Sequence, residues 1–173
     1  DRNFDGKVER TKNRPLVTGQ VKSFEALLLF FVLVSLSGSL LFWTNKLTVI
    51  VASIGLIVAV IYPLAKRFFD IPQIFLGLAF SWGILMVSAA ELDKISSTSL
   101  IMFFACFFWI MAYDTAYAMS DKEGDLSINL KSSAITFGKH TQKLIVTFHL
   151  ISLCLWSFCA LVEKINPIFY VSI

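Results

Sequence analysis

Three aspartates near the end of an apolar stretch carry the strongest chemical signal in the sequence. Asp114, Asp121 and Asp125 are spaced by seven and four residues, and in a helix these spacings place them on one face. Carboxylates that share a face repel one another unless a cation neutralises them. Asp1 and Asp5, at the start of the chain, form a second acidic pair. Two acidic clusters in an apolar chain indicate a divalent-metal site that holds a polyanion.

Basic residues follow the first acidic pair closely. Arg10 and Arg14 lie in the stretch Arg-Thr-Lys-Asn-Arg-Pro-Leu at residues 10–16. Carboxylates hold magnesium, magnesium holds phosphate oxygens, and guanidinium groups bind the oxygens that remain. The alternative is a solvated loop whose basic residues anchor to anionic lipid headgroups.

A third candidate group ends another apolar segment. Tyr62 precedes Lys66 and Arg67 in the stretch Tyr-Pro-Leu-Ala-Lys-Arg. Lys66 would meet the same phosphate, and Tyr62 would face a developing cation. Alternatively, all three residues anchor the chain at the membrane interface.

Asp114 is harder to explain as a structural residue, because it follows the uninterrupted apolar run 100–113. An ionisable residue at membrane depth indicates a functional site.

The composition predicts an integral membrane protein. Of the 173 residues 57% are hydrophobic and 16% charged, against roughly 45–50% and 25% in soluble domains. The mean hydropathy is +0.75. The apolar segments of 18–21 residues would cover about 27–31 Å as helices, which matches the hydrocarbon thickness of a bilayer. We therefore expect an all-α, polytopic transmembrane helix bundle, with spans at 23–43, 47–64, 72–90, 100–119 and 144–162 and the start of a sixth near Pro167.

The distribution of charge predicts the orientation. Twelve of the 15 Lys and Arg residues fall in the alternate breaks 1–22, 65–71 and 120–143. By the positive-inside rule these breaks, and with them the aspartates, face the cytoplasm or the mitochondrial matrix. We expect a bacterial inner membrane, or the mitochondrial inner membrane in a eukaryote. Pro63 and Pro72 flank the middle break and should end or kink the helices there. The lipid bilayer is the expected partner, and no motif suggests nucleic acid.

The motifs resemble those of the UbiA superfamily of membrane prenyltransferases, and within it the polyprenyltransferases that act on 4-hydroxybenzoate. That family's first motif is N-D-x-x-D-x-x-x-D running into R-T-x-N-R-P-L, and residues 1–16 match it from its second-last aspartate onward. Residues 113–125 match its second motif, Y-D-T-x-Y-A-x-x-D-x-x-x-D, and 131–134 resemble the stretch that follows. Residues 62–67 match its Y-P-x-x-K-R.

The resemblance implies one transmembrane prenyltransferase domain over residues 1–173, truncated at both ends. The family has nine transmembrane helices, so about two would precede residue 1 and nearly two would follow Ile173. Residues 1–22 would form a cytoplasmic loop with the first aspartate-rich motif. Residues 113–140 would form the second motif and its loop.

The resemblance also implies an activity. The family transfers a polyprenyl group from polyprenyl diphosphate to an aromatic acceptor with Mg²⁺, here the ring carbon ortho to the hydroxyl of 4-hydroxybenzoate, in ubiquinone biosynthesis. The residues implied are Asp1, Asp5, Asp121 and Asp125 for the metal, Lys66, Arg10, Arg14 and Lys131 for the diphosphate, and Asp114 and Tyr62 for the reacting centre.

Other activities stay open at this point. Haem farnesyltransferases share the R-T-x-x-R-P-L stretch but lack the second motif, while menaquinone and chlorophyll prenyltransferases have divergent second motifs. A transporter would use Asp114 as a proton or cation relay but leaves the paired aspartates unexplained. A structural membrane subunit needs no charge inside the membrane.

Overall fold

The computed structural model describes residues 6, 11–127, 130–166 and 170, and throughout these residues the regular secondary structure is helical. The all-α prediction is therefore confirmed. The chain divides into two compact units, residues 1–44 and 45–173.

In its described residues the first unit contains two α-helices and a short 3-10 segment. Helix α1 is Pro15–Thr18, α2 is Ser23–Ser39, and the 3-10 segment is Leu40–Trp43. Proline suits the first position of α1 because its missing N–H has no partner there in any helix. The Lys22 backbone N–H donates to the Glu25 carboxylate at 2.7 Å, which satisfies one of the donors left open at the start of α2.

Five α-helices lie in the part of the second unit that the structure describes up to residue 166. They are α3 (Lys46–Phe68), α4 (Gln73–Leu92), α5 (Ser97–Ser127), α6 (Ser133–Phe137) and α7 (Thr141–Val162), with a 3-10 turn Gly138–His140 between the last two. Helix α5 packs against both α4 and α7, and α3 packs against α4. The long helices of this unit therefore neighbour one another in the order α3, α4, α5, α7.

Among the described residues, five helical stretches are long and apolar enough to cross a membrane. They are Ser23–Trp43, Lys46–Ala65, Gln73–Leu92, Ser97–Leu126 and Ser133–Val162. Each contains most or all of one predicted span. The sixth segment, near Pro167, lies outside the described residues.

Burial follows the pattern of a membrane bundle. Small residues such as Ala89, Ala105 and Ser81 are 0% exposed, while large apolar side chains such as Phe42 and Trp43 are 87% and 80% exposed. Small residues let helix backbones approach closely in lipid, where large apolar side chains are solvated by the acyl chains. The protein is an integral membrane protein.

Two glycines allow such close approach. A Cβ atom on Gly55 would lie 2.5 Å from Cδ1 of Trp82, whose indole N–H donates to the Val51 carbonyl at 2.8 Å. A Cβ atom on Gly77 would lie 2.8 Å from Cδ2 of Phe107. These contacts join α3 to α4 and α4 to α5.

The connections between helices alternate between the two ends of the second unit. At one end the Asn45 side chain donates to the Ala89 carbonyl at 2.6 Å, linking the start of α3 to the end of α4. At the other end the Thr136 hydroxyl donates to the Asp70 carbonyl at 2.7 Å. We call this second end, formed by residues 68–73, 121–127 and 130–137, the aspartate end.

Pro63 does not end its helix. It lies inside α3, which continues to Phe68, whereas Pro72 immediately precedes the first residue of α4. In lipid the backbone must satisfy its polar groups within the helix, so losing one N–H is tolerated more easily than unwinding a turn. Helix α5 also runs to Ser127, beyond the apolar segment predicted from hydropathy.

Candidate active site

One continuous helix carries the whole second aspartate motif. Asp114, Asp121 and Asp125 lie on α5, which runs from Ser97 to Ser127. From the helical rise, Asp121 and Asp125 are about 6 Å apart along the axis, and Asp114 lies about 10 Å before Asp121. Asp125 is only 8% exposed. Asp114 and Asp121 are half-buried. The helix therefore brings an acidic stripe from the interior of the bundle to the aspartate end.

The structure brings together the two residues predicted at the reacting centre. Tyr62 lies near the end of α3 and Asp114 lies on α5, two helices that are not consecutive in the chain. The Asp114 carboxylate is close enough for its charge to act on the Tyr62 phenol. Both side chains are half-buried. A phenol and a carboxylate, both partly enclosed, thus lie within electrostatic range of each other.

Three buried polar side chains connect the helix turn that carries Asp114 to the segment that follows the second aspartate motif. The Ser133 backbone N–H donates to Oε1 of Gln73 at 2.9 Å, and the Ser133 hydroxyl donates to the Thr115 hydroxyl at 2.9 Å. Gln73 is 1% exposed, and Thr115 and Ser133 are 0% exposed. We call these three residues the Gln73–Ser133–Thr115 chain. It joins α4, α5 and α6, and Thr115 is the immediate neighbour of Asp114.

Lys131 lies at the aspartate end but is held by a carboxylate there. Its ammonium group is 2.8 Å from Oδ1 of Asp70 and 3.4 Å from the Phe68 carbonyl. Both side chains of the ion pair are largely exposed, Lys131 at 45% and Asp70 at 71%. A phosphate group that binds Lys131 would therefore compete with Asp70.

The other predicted site residues lie in the first unit or have side chains outside the described residues. Asp1, Asp5 and Arg10 lie outside the described residues, as does the side chain of Lys66. Arg14 is described within the first unit, where it caps the start of α1 and its carbonyl accepts from the Val17 N–H at 2.8 Å. The meeting of the first motif with the second stays a prediction.

The donor set of the second motif suits a hard cation that is shared with a phosphate. In the described ranges there is no group of three or more His, Cys, Asp or Glu side chains that could hold a metal ion. Asp121 and Asp125 offer carboxylate oxygens from adjacent helical turns. Magnesium is usually bound by one or two carboxylates together with substrate phosphates and water. The residues present therefore fit magnesium bound jointly with a diphosphate.

Sequence reasoning missed the polar residues that connect the site. Gln73 and Asp70 were not predicted, and Thr115 and Ser133 were noted only as parts of matching stretches. Gln73 is the one amide side chain in an otherwise apolar helix start, and Thr115 follows Asp114 at membrane depth. A buried polar group in lipid requires a hydrogen-bond partner, so such positions are a usable signal.

Comparison with known proteins agrees with the motifs. A model of the UbiA prenyltransferase family matches residues 1–173. Two relatives are named 4-hydroxybenzoate octaprenyltransferase. The one from Psychromonas ingrahamii is 44% identical over 173 residues, covering 100% of this chain and 60% of its own length. The one from Neisseria meningitidis serogroup B is 49% identical over 149 residues, covering 86% and 50%.

A solved structure shares the fold. The apo structure of a UbiA homolog from Aeropyrum pernix K1 superposes with a TM-score of 0.87 at 26% sequence identity, covering 99% of this chain and 66% of that chain. The chain thus spans 60% or less of the length of these two octaprenyltransferases and about two thirds of the archaeal homologue.

Proposed function

Because the chain belongs to the UbiA prenyltransferase family, we propose that the protein transfers a polyprenyl group from its diphosphate to the ring carbon ortho to the hydroxyl of 4-hydroxybenzoate. The names of the relatives in Psychromonas ingrahamii and Neisseria meningitidis support this acceptor, and they favour an octaprenyl donor. The product would serve ubiquinone biosynthesis. The observation that carries the proposal is that the whole second aspartate motif lies on one continuous helix, α5, with Asp114 within electrostatic range of Tyr62.

The diphosphate would be held at the aspartate end. Asp121 and Asp125, with Asp1 and Asp5 of the first motif, would hold Mg²⁺, which when bound neutralises charge on the departing diphosphate. Lys66, Arg10, Arg14 and Lys131 would bind phosphate oxygens, because ammonium and guanidinium groups form strong charge-assisted hydrogen bonds with them. The allylic C–O bond then breaks, and its electron pair leaves with the diphosphate.

Tyr62 and Asp114 would act on the carbon side of the reaction. The phenol ring presents a negative face that stabilises the allylic cation. The Asp114 carboxylate would orient the acceptor and accept its proton. The acceptor's ring carbon attacks the cation, a C–C bond forms, and the ring loses a proton to restore aromaticity. The surrounding apolar helices limit access of water, which would otherwise capture the cation.

The orientation in the membrane follows from the charge distribution. The aspartate end carries Lys122 and Lys131, and Lys66 and Arg67 directly precede it in the sequence. Each of the three opposite connections of the second unit carries one lysine: Lys46, Lys94 and Lys164. Positively charged connections face the cytoplasm in bacterial inner membranes. We infer that the diphosphate enters from the cytoplasmic side, or from the matrix side in mitochondria.

A product assay tests the proposal. Membranes that contain the full-length protein receive labelled octaprenyl diphosphate, 4-hydroxybenzoate and MgCl₂, and the prenylated acid is separated and counted. We expect product with the wild type, none after EDTA treatment, and a loss of at least about a hundredfold in Asp121→Asn and Asp125→Asn, as for other groups that stabilise transition-state charge. Glu123→Gln is the matched control, because it removes one carboxylate from the same helical turn on an exposed face.

Three results would contradict the proposal. One is movement of the labelled lipid across the membrane without a covalent product, which is the behaviour of a transporter. Another is product that persists after metal removal. The third is an equal loss of activity in Glu123→Gln and Asp121→Asn, since only the second lies on the acidic stripe.

A further inference from the structure

The Gln73–Ser133–Thr115 chain is a fully buried polar connection among three helices of the second unit. Each of its side chains is at most 1% exposed. Its two hydrogen bonds are both 2.9 Å long and connect residues from three separate helices. A bundle in lipid could make the same helix contacts with small apolar residues, as α4 and α5 do at Gly77. A polar connection at this place therefore calls for a reason beyond packing.

The Gln73–Ser133–Thr115 chain lies between the reacting centre and the phosphate-binding residues that the proposed reaction needs. Thr115 adjoins Asp114 on α5, and Ser133 lies two residues after Lys131. Gln73 opens α4, directly after the turn in which Asp70 pairs with Lys131 at 2.8 Å. One hydrogen-bonded unit thus connects the reacting centre with a predicted phosphate-binding residue.

Further contacts join the 68–73 turn to the 131–136 segment. The Thr136 hydroxyl donates to the Asp70 carbonyl at 2.7 Å and to the Ser132 carbonyl at 3.1 Å. The 68–73 turn and the 131–136 segment are therefore joined at three residues, Lys131, Ser133 and Thr136. The Gln73–Ser133–Thr115 chain continues into α5 through Thr115, whereas Asp70 and Lys131 pair at the surface.

We propose that Gln73, Thr115 and Ser133 are positioning residues that hold the Lys131 segment in register with the aspartate motif of α5, so that both address one diphosphate. This inference rests on the proposed function. None of the three touches the diphosphate. They act by limiting the movement of the segment after the motif, and binding of a preorganised segment loses less conformational entropy.

Kinetics on isosteric variants test this role. Thr115→Val removes the hydroxyl that accepts from Ser133, and Ser133→Ala removes the donor. We expect each to raise the KM for octaprenyl diphosphate and the Mg²⁺ concentration at half-maximal rate about fivefold, the value of one lost hydrogen bond. The KM for 4-hydroxybenzoate should stay the same. Thr115→Ser keeps the hydroxyl and should restore both parameters.

A matched control separates positioning from stability. The Ser152 hydroxyl donates to the Ala105 carbonyl at 2.8 Å, and Ser152 is 1% exposed. Ser152→Ala therefore removes a buried hydrogen bond between α7 and α5, about 15 Å along α5 from Thr115. It should lower the thermal stability as much as Ser133→Ala does, with no change in the KM for the diphosphate. Equal kinetic effects of Ser152→Ala and Ser133→Ala would overturn the inference, and so would an unchanged KM in a folded Thr115→Val protein.

Hydrogen–deuterium exchange supplies a readout that does not need activity. In Gln73→Met the Ser133 amide loses its acceptor, so the amides of 130–136 should exchange faster than in the wild type and in Ser152→Ala. Unchanged exchange would overturn the inference. If the wild type forms no product while this exchange difference is present, the proposed function fails and the link between the segments stands. If the wild type is active and the variants keep its kinetics, the positioning role fails alone.

Discussion

Removal of the Asp70 carboxylate is expected to strengthen binding of the polyprenyl diphosphate. Asp70 Oδ1 accepts from the Lys131 ammonium group at 2.8 Å. In the proposed site Lys131 binds phosphate oxygens, so the diphosphate must displace Asp70 from it. Asp70→Asn removes the competing charge and keeps the backbone carbonyl that accepts from Thr136.

The exposure of the pair sets the size of the effect. The side chains are 45% and 71% exposed, and ion pairs in such positions are worth roughly 0–1 kcal/mol because water screens them. A competing interaction of about 1 kcal/mol weakens binding about fivefold. We therefore expect Asp70→Asn to lower the KM for the diphosphate about two- to fivefold, with little change in kcat. The difference should shrink as ionic strength rises, since salt screens exposed charges.

The assay measures the KM for labelled octaprenyl diphosphate at low and high ionic strength. Asp93→Asn is the control, because it removes one exposed carboxylate at the opposite end of α4, at a residue with φ of 48° where asparagine is tolerated. Its KM should equal that of the wild type. Lys131→Ala should raise the KM. If Asp70→Asn raises the KM, or if Lys131→Ala leaves it unchanged, the reasoning about competition is wrong.

Three further predictions concern stability and topology. Gly77→Ala should destabilise the protein by about 1–3 kcal/mol, because the new Cβ meets an aromatic ring, while Gly83→Ala, with open space, should be neutral in the same thermal-unfolding assay. Asn45→Ala should lower the unfolding temperature, since it loses the cap of α3 and the link to α4, together about 1–2 kcal/mol. Lys139→Cys should react with an impermeant maleimide from the cytoplasmic side only, and Lys164→Cys from the opposite side only; labelling of both from one side would refute the topology.

Hydropathy predicted the spans but not the full helices. The segment predicted at 100–119 lies within a helix that runs from Ser97 to Ser127. Hydropathy detects the part of a helix that lies in lipid, whereas a helix continues wherever its backbone bonds stay satisfied. The same reason explains why Pro63 lies within α3 rather than at its end.

The periodicity of the aspartates was sufficient to place them on one helix, because neighbours at helical spacing are a local property of the chain. It could not show that Tyr62 lies within electrostatic range of Asp114, since that depends on how α3 and α5 each pack against α4. Nor could it show that Asp70 holds Lys131. Residues far apart in sequence meet only after the helices associate.

The amino-acid sequence by itself determined the membrane class, the spans and the identity of the acidic and basic motifs, because hydrophobicity, helical period and residue type are all readable locally. Only the tertiary structure decided which polar side chains are partners. Gln73 and Ser133 are separated by 60 residues, and their hydrogen bond exists because α4, α5 and α6 converge at the aspartate end. In lipid a buried polar group must find such a partner, and helix packing selects which one it finds.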